Sequence, residues 1–264
     1  MQRSLLVVAT GLVMAGLTVI ALPPQVNALL RIAATADGGA TTVIACDQNV
    51  ACVPGPGVTV LSDTNPAVGN LSVAPFTING VTLLGTVSNI ADPPGLGVPN
   101  NLSSSAIEIT NNSAAPVTIQ VAISSTNFVP PSTQAFTSGS GTWSTGSTGS
   151  TIAMQWWNDP ANGQGAESFN DTPGNMVDSF MATAPAASPF SFSHNGGPFT
   201  VSDPSPFSMT LSYQLTLVAG GDLISRGFAE VKPIATTVPE PSSLLLLLGS
   251  ACGLIALRAR KMRV

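Results

Sequence analysis

The sequence predicts an all-β protein: an antiparallel β-sandwich or jelly-roll spanning residues 29–231. Three observations predict it. Apolar and polar residues alternate with period two in several stretches, Gly, Pro, Asn and Ser separate those stretches, and no long segment carries a helical period. In "FTINGVTLL" the Asn79-Gly80 pair lies between two apolar runs, and both residues tolerate positive φ, so the pair predicts a two-residue hairpin turn. "SAIEITNN" points Ile107 and Ile109 inward and Glu108 to water. "PVTIQVAISSTNF" points Val117, Ile119, Val121 and Ile123 inward, and the link "NNSAAP" reads as a hairpin joining these two strands. "TSGSGTWSTGSTGS", residues 137–150, reads instead as a mobile low-complexity loop or glycan-bearing stalk, because small polar residues bury too little surface to offset ordering. "TIAMQWW" sends Trp156 to one face of a strand and Trp157 to the other, and "SMTLSYQLTLV" buries Met209, Leu211, Tyr213, Leu215 and Leu217. No repeat of fixed period argues for a solenoid or propeller.

Both ends differ from this body. Arg3, the apolar run Leu5–Leu22, Pro23-Pro24 and the small residues before Ala28 form an export signal, with signal peptidase expected to cut after Ala28 once the Sec machinery has engaged it. The run is long for a signal, so an uncleaved anchor is the competing reading, and either way the body is exported. Cys46 and Cys52 bracket "CDQNVAC", where an oxidising compartment lets a short loop close through a disulfide if the Cα atoms come within about 7 Å. Zinc is the weaker alternative, since two thiols lack two further ligands and the lone His194 is far off in sequence. Charge limits the partners. Residues 29–238 carry three basic side chains (Arg31, Arg226, Lys232) against twelve acidic ones, a balance that repels phosphate backbones and argues against nucleic acid.

The carboxyl end has three parts. Residues 232–241 are a linker ending in Val238, Pro239, Glu240 and Pro241, whose prolines keep the backbone extended and exclude it from a helix. Residues 242–257 can form a transmembrane helix of about 24 Å, short of the ~30 Å hydrocarbon layer. Its seven leucines favour insertion by roughly 3.5 kcal/mol before its glycines and serines subtract, so it is a marginal anchor. Arg258, Arg260, Lys261 and Arg263, in the tail 258–264, hold that end on the cytoplasmic side. In this order the three parts resemble the PEP-CTERM sorting signal, over about the last twenty-seven residues. The resemblance implies recognition and processing by the membrane enzyme exosortase, transient passage through the inner membrane of a Gram-negative bacterium, and an exopolysaccharide or biofilm setting.

Catalytic vocabulary is sparse. His194 is the single histidine, its neighbours "HNGGP" only faintly resemble an oxyanion loop, and no Gly-x-Ser-x-Gly elbow occurs. Carboxylates such as Asp159, Glu167 and Asp171 are available to a glycosidase, but sequence places no pair. Asp159, Asn162, Glu167 and Asp171 offer hard oxygen ligands for calcium, without EF-hand spacing and in ordinary turn vocabulary. Trp157, with Trp143 as a weaker partner, is the candidate platform for stacking a sugar ring. The expectation is an exported, non-catalytic surface or matrix protein that needs no cofactor and acts structurally or adhesively. The alternative is a carbohydrate-binding module for the exported polysaccharide, and the third reading a secreted hydrolase.

Overall fold

The computed structural model describes residues 29–36, 41–49, 52, 56–90, 99–130, 132–144, 146–168, 170–186 and 189–232. The export signal, the Pro-Glu-Pro motif, the transmembrane run and the basic tail lie outside the described residues. Thirteen strands run β1 (Leu30–Ala36), β2 (Thr42–Cys46), β3 (Val58–Leu61), β4 (Asn70–Ile78), β5 (Val81–Ile90), β6 (Asn100–Asn111), β7 (Val117–Phe128), β8 (Ser132–Trp143), β9 (Thr151–Asp159), β10 (Asn175–Thr183), β11 (Phe190–Asp203), β12 (Phe207–Leu217) and β13 (Asp222–Lys232). They form a seven-stranded sheet, β10-β9-β12-β7-β1-β2-β3, and a six-stranded sheet, β11-β8-β13-β6-β5-β4. All pairings are antiparallel except β2 with β3. The described body is therefore an all-β sandwich, with one 3-10 turn at Asp47–Asn49.

The inward residues of the alternating strands make the core between the sheets. Ile107, Ile109, Val117, Ile119, Val121, Ile123, Met209, Leu211, Tyr213, Leu215 and Leu217 are all buried there, joined by Phe128 and Phe207 with ring centroids 5.5 Å apart. Tyr213 keeps its polar tip satisfied: its hydroxyl lies 2.8 Å from Ser104 Oγ. Complete burial holds its phenol in the neutral form, above its usual range. Asn79 and Gly80 adopt φ of 47° and 79° between the paired residues Ile78 and Val81, which is the hairpin turn the sequence predicts. Cys46 and Cys52 are bonded, with Cα atoms 5.7 Å apart.

Two expectations change. "NNSAAP" is not a hairpin: β6 pairs with β5 and β13, β7 with β1 and β12, so the link arches from one sheet to the other. Asn111 holds the arch, its Nδ2 donating to the carbonyls of Ala115, Leu217 and Val218. Residues 137–150 are not a loop throughout, because Thr137–Trp143 form the second half of β8. Thr137, Gly139, Gly141 and Trp143 face inward there, and large side chains from β9 of the facing sheet and β11 of the same sheet fill the space the glycines leave. A Cβ on Gly139 would meet Met154 at 2.8 Å, and one on Gly141 would meet Phe192 at 2.5 Å. Packing of these large side chains, one from each sheet, is what orders a run that is too small to order itself.

Candidate functional site

The long connection from β9 to β10 folds over the outer face of the seven-stranded sheet. Gly165 N donates to Ser124 Oγ, Ser208 Oγ donates to the Gly163 carbonyl, and Ala166 packs with Ala33, Ile44 and Ala122. Ser124, Ser208 and Thr210 are buried by this cover although strand alternation points them outward. Arg31, also beneath it, reaches Glu167 at 3.1 Å.

The oxygen-bearing residues suggested for calcium are spent on building this cover. Asp159 accepts from the amides of Ala161 and Gly163, Asn162 exchanges hydrogen bonds with Asn127, and Asp171 accepts from Glu167 N. No group of three or more His, Cys, Asp or Glu among the described residues is placed to hold a metal.

Where the cover ends, a cleft of about 200 Å³ opens on the same sheet face. Gln120 of β7, Gln155 of β9 and Gln214 of β12 line it with Ser212, while Asn170 and Thr172 of the cover form one rim. Register explains the convergence: Gln214 lies directly opposite Gln120, and Ser212, two residues back on the same face, lies opposite Gln155. None of the three glutamine side chains is hydrogen-bonded to protein among the described residues. Each is a donor and acceptor left unused by the fold, and no charged side chain lines the cleft.

Trp157 stands two residues beyond Gln155 on the same face of β9, half-buried and opposite Thr210. Trp156 points the other way, into the core, and donates from Nε1 to the Phe228 carbonyl at 2.9 Å. Trp143 is a correction. It is fully buried against Phe192, with centroids 5.9 Å apart, because inward register on β8 puts it between the sheets and out of reach of a sugar.

The glutamines were visible in the sequence as outward positions of "PVTIQVAI", "TIAMQWW" and "TLSYQLTL". Nothing local marks them as neighbours, since only the strand order β9-β12-β7 does so. His194 lies elsewhere, at the edge of the sandwich where β10 and β11 face each other. Its Nε2 is 2.7 Å from Asp178 Oδ2, and its ring stacks on Phe180 at 4.8 Å. Thr137 Oγ1 donates to the same carboxylate oxygen, so the pair clasps strands of both sheets.

No protein-family model matches the chain, and no curated protein does. Among solved structures it is similar to TmCBM61 in complex with β-1,4-galactotriose, at 12% identity over 59% of this chain and 90% of that one, with a TM-score of 0.32. It is also similar to a structure described as a basis for the promiscuous specificity of carbohydrate-binding modules of the β-sandwich superfamily, at 14% identity, 75% and 70% coverage and a TM-score of 0.29. A third is the xylan-binding domain from CBM 22, at 16% identity, 61% and 92% coverage and a TM-score of 0.28. Likeness at these identities and TM-scores assigns no function to this chain.

Proposed function

We propose that this chain is an exported, non-catalytic protein of the cell envelope or extracellular matrix, and that it holds neutral polysaccharide in the glutamine cleft of the seven-stranded sheet. The observation that carries the reading is the convergence of Gln120, Gln155 and Gln214, unbonded and uncharged, in one cleft. Carboxamides pair a donor with an acceptor about as far apart as neighbouring sugar hydroxyls, and they do so without the desolvation cost of a charge. A cleft of about 200 Å³ has room for several waters, which one sugar ring would displace. Trp157 offers an indole beside it for the apolar face of the next ring. Delivery rests on the tail: the Pro-Glu-Pro motif, short apolar run and terminal cations support sorting by exosortase after Sec export.

Binding of the full-length chain in detergent to an array of neutral glycans tests the cleft. Wild type should retain at least one glycan. Gln155→Ala and Gln214→Ala should each weaken it about tenfold, the worth of one good hydrogen bond at ~1.4 kcal/mol, and Trp157→Ala should weaken it further if its ring stacks. Wild type that retains none, or variants that bind as wild type does, would end this reading.

A further inference from the structure

The outer face of the six-stranded sheet carries a second cavity, of about 380 Å³, built from different chemistry. Its floor lies across β11, β8, β13 and β6. Arg226 pairs in register with Ser140 and Ser140 with Ser193. One step along, Phe228 lies between Ser138 and Ser103. Short hydroxymethyl side chains surround one long cation and one half-buried ring.

Two features set this patch apart from an ordinary solvated sheet face. The first is its unused hydrogen-bonding capacity: the side chains of Ser138, Ser140, Ser193 and Arg226 make no hydrogen bond or ion pair to protein among the described residues. Arg31 is paired with Glu167 and Lys232 with Glu230, and Lys232 also lies over the Phe136 ring. Arg226 is thus the one described Lys or Arg with no carboxylate partner, on a body where acidic residues outnumber basic ones fourfold. Glu108, the nearest outward carboxylate across the strand pair, lies opposite Ile224.

The second feature is a bulge. β6 runs one residue long against both neighbours at this level, as Ser225 pairs with Ile107 but Gly227 with Ser104, and Thr86 pairs with Ala106 but Val87 with Ser104. The extra residue, Ser105, is exposed opposite Arg226 and is tied back to the Thr86 carbonyl at 3.2 Å. A bulge bends its strand and re-aims side chains, and here it forms the wall of the cavity.

We infer that this cavity binds an acidic sugar unit, a uronate, whose carboxylate pairs with the Arg226 guanidinium while its hydroxyls bond Ser138, Ser140 and Ser193 and its apolar face lies on Phe228. A planar guanidinium matches a planar carboxylate through two parallel hydrogen bonds. The surrounding acidic surface repels a polymer charged at every unit. The ligand is therefore a mostly neutral polysaccharide with isolated uronates. The inference shares with the glutamine cleft the reading of this protein as a saccharide binder, but it uses the opposite sheet.

Isothermal titration of the full-length chain in detergent tests it, with three probes: a xylo-oligosaccharide bearing one glucuronate, its methyl ester, and a sulfated xylo-oligosaccharide of the same length. Wild type should bind the acid at least tenfold more tightly than the ester or the sulfated chain, and lose that preference at high salt. Arg226→Ala should bind acid and ester alike, and Arg226→Lys should keep part of the preference. Gln155→Ala should leave the preference intact, so failure of the cleft and failure of this site are told apart. Equal binding of acid and ester by wild type, tighter binding of the sulfated chain, or an unchanged preference in Arg226→Ala would each overturn the inference. Arg226 is exposed, so its variants should unfold at the wild-type temperature.

Discussion

Asp203 closes β11 almost fully buried beside Asn158, whose Nδ2 donates to its Oδ1 at 2.8 Å. That single bond leaves Asp203 Oδ2 and Asn158 Oδ1 buried without partners, two acceptors with no hydrogen between them. Burial raises the Asp203 carboxyl above its ordinary range, the hydrogen bond from Asn158 lowers it in part, and the charge of nearby Asp159 raises it again. A carboxyl whose folded pKa is raised holds its proton more tightly folded than unfolded. Its contribution to stability is thus full below the unfolded pKa of about 3.9 and is lost as pH rises through the folded value. Asp203→Asn supplies the missing donor without a charge. It should stabilise the protein by about 1 kcal/mol at pH 7, and its advantage should shrink toward pH 4. Melting temperatures of the two proteins across that range check this, and an advantage that grows on acidification would contradict it.

At the scale of the element, β8 shows why small residues can specify a strand. Ser138, Ser140 and Thr142 face out while Gly139 and Gly141 face in, where Met154 and Phe192 occupy the room that side chains would take. Gly141→Ala forces its Cβ into the Phe192 ring and within 3.0 Å of the Ile224 carbonyl, an overpacking that should cost about 1–3 kcal/mol. Ser140→Ala on the other face should stay within ~0.5 kcal/mol. The difference is read from urea midpoints, and equal midpoints would mean that the Phe192 ring moves aside at no cost. Alternation in the sequence identifies which face of β6, β7, β9 and β12 is buried, and Asn79-Gly80 identifies the two-residue turn between β4 and β5. It does not tell β8 from a linker, because the apolar partners of those glycines lie on β9 and β11. Nor does it say which sheet a strand joins. The carbonyls of Leu217 and Val218 that hold Asn111 in the arch are more than a hundred residues away in sequence, so nothing local in the link from β6 to β7 tells an arch from a hairpin. For the same reason Gln120, Gln155 and Gln214 are legible as outward residues but not as a site.

For the whole molecule, the proposed sorting makes the distance between the body and the membrane the quantity that matters. β13 ends at Lys232, and ten residue steps lead to Ser242, so a fully extended chain spans at most about 35 Å. If residues 242–257 sit in the bilayer with the terminal cations inside, the end of β13 is held within about 35 Å of the membrane. A long polysaccharide then reaches either sheet face less readily than on a released body. Under the proposed sorting, removal of the tail would free the body from the membrane without any change in fold, and so would couple release to ligand access. In a host that expresses exosortase, the mature chain should lack both residues 1–28 and the basic end beyond Pro241, and intact cells should capture polysaccharide through it. Without exosortase the tail should remain, and capture on intact cells should fall while the detergent-extracted chain binds as before. Intact mass and a binding assay on both preparations separate the steps. Retention of Arg258–Arg263 in the host with active exosortase would exclude sorting by this route. Equal capture by tethered and released forms would show that anchoring leaves the binding faces open.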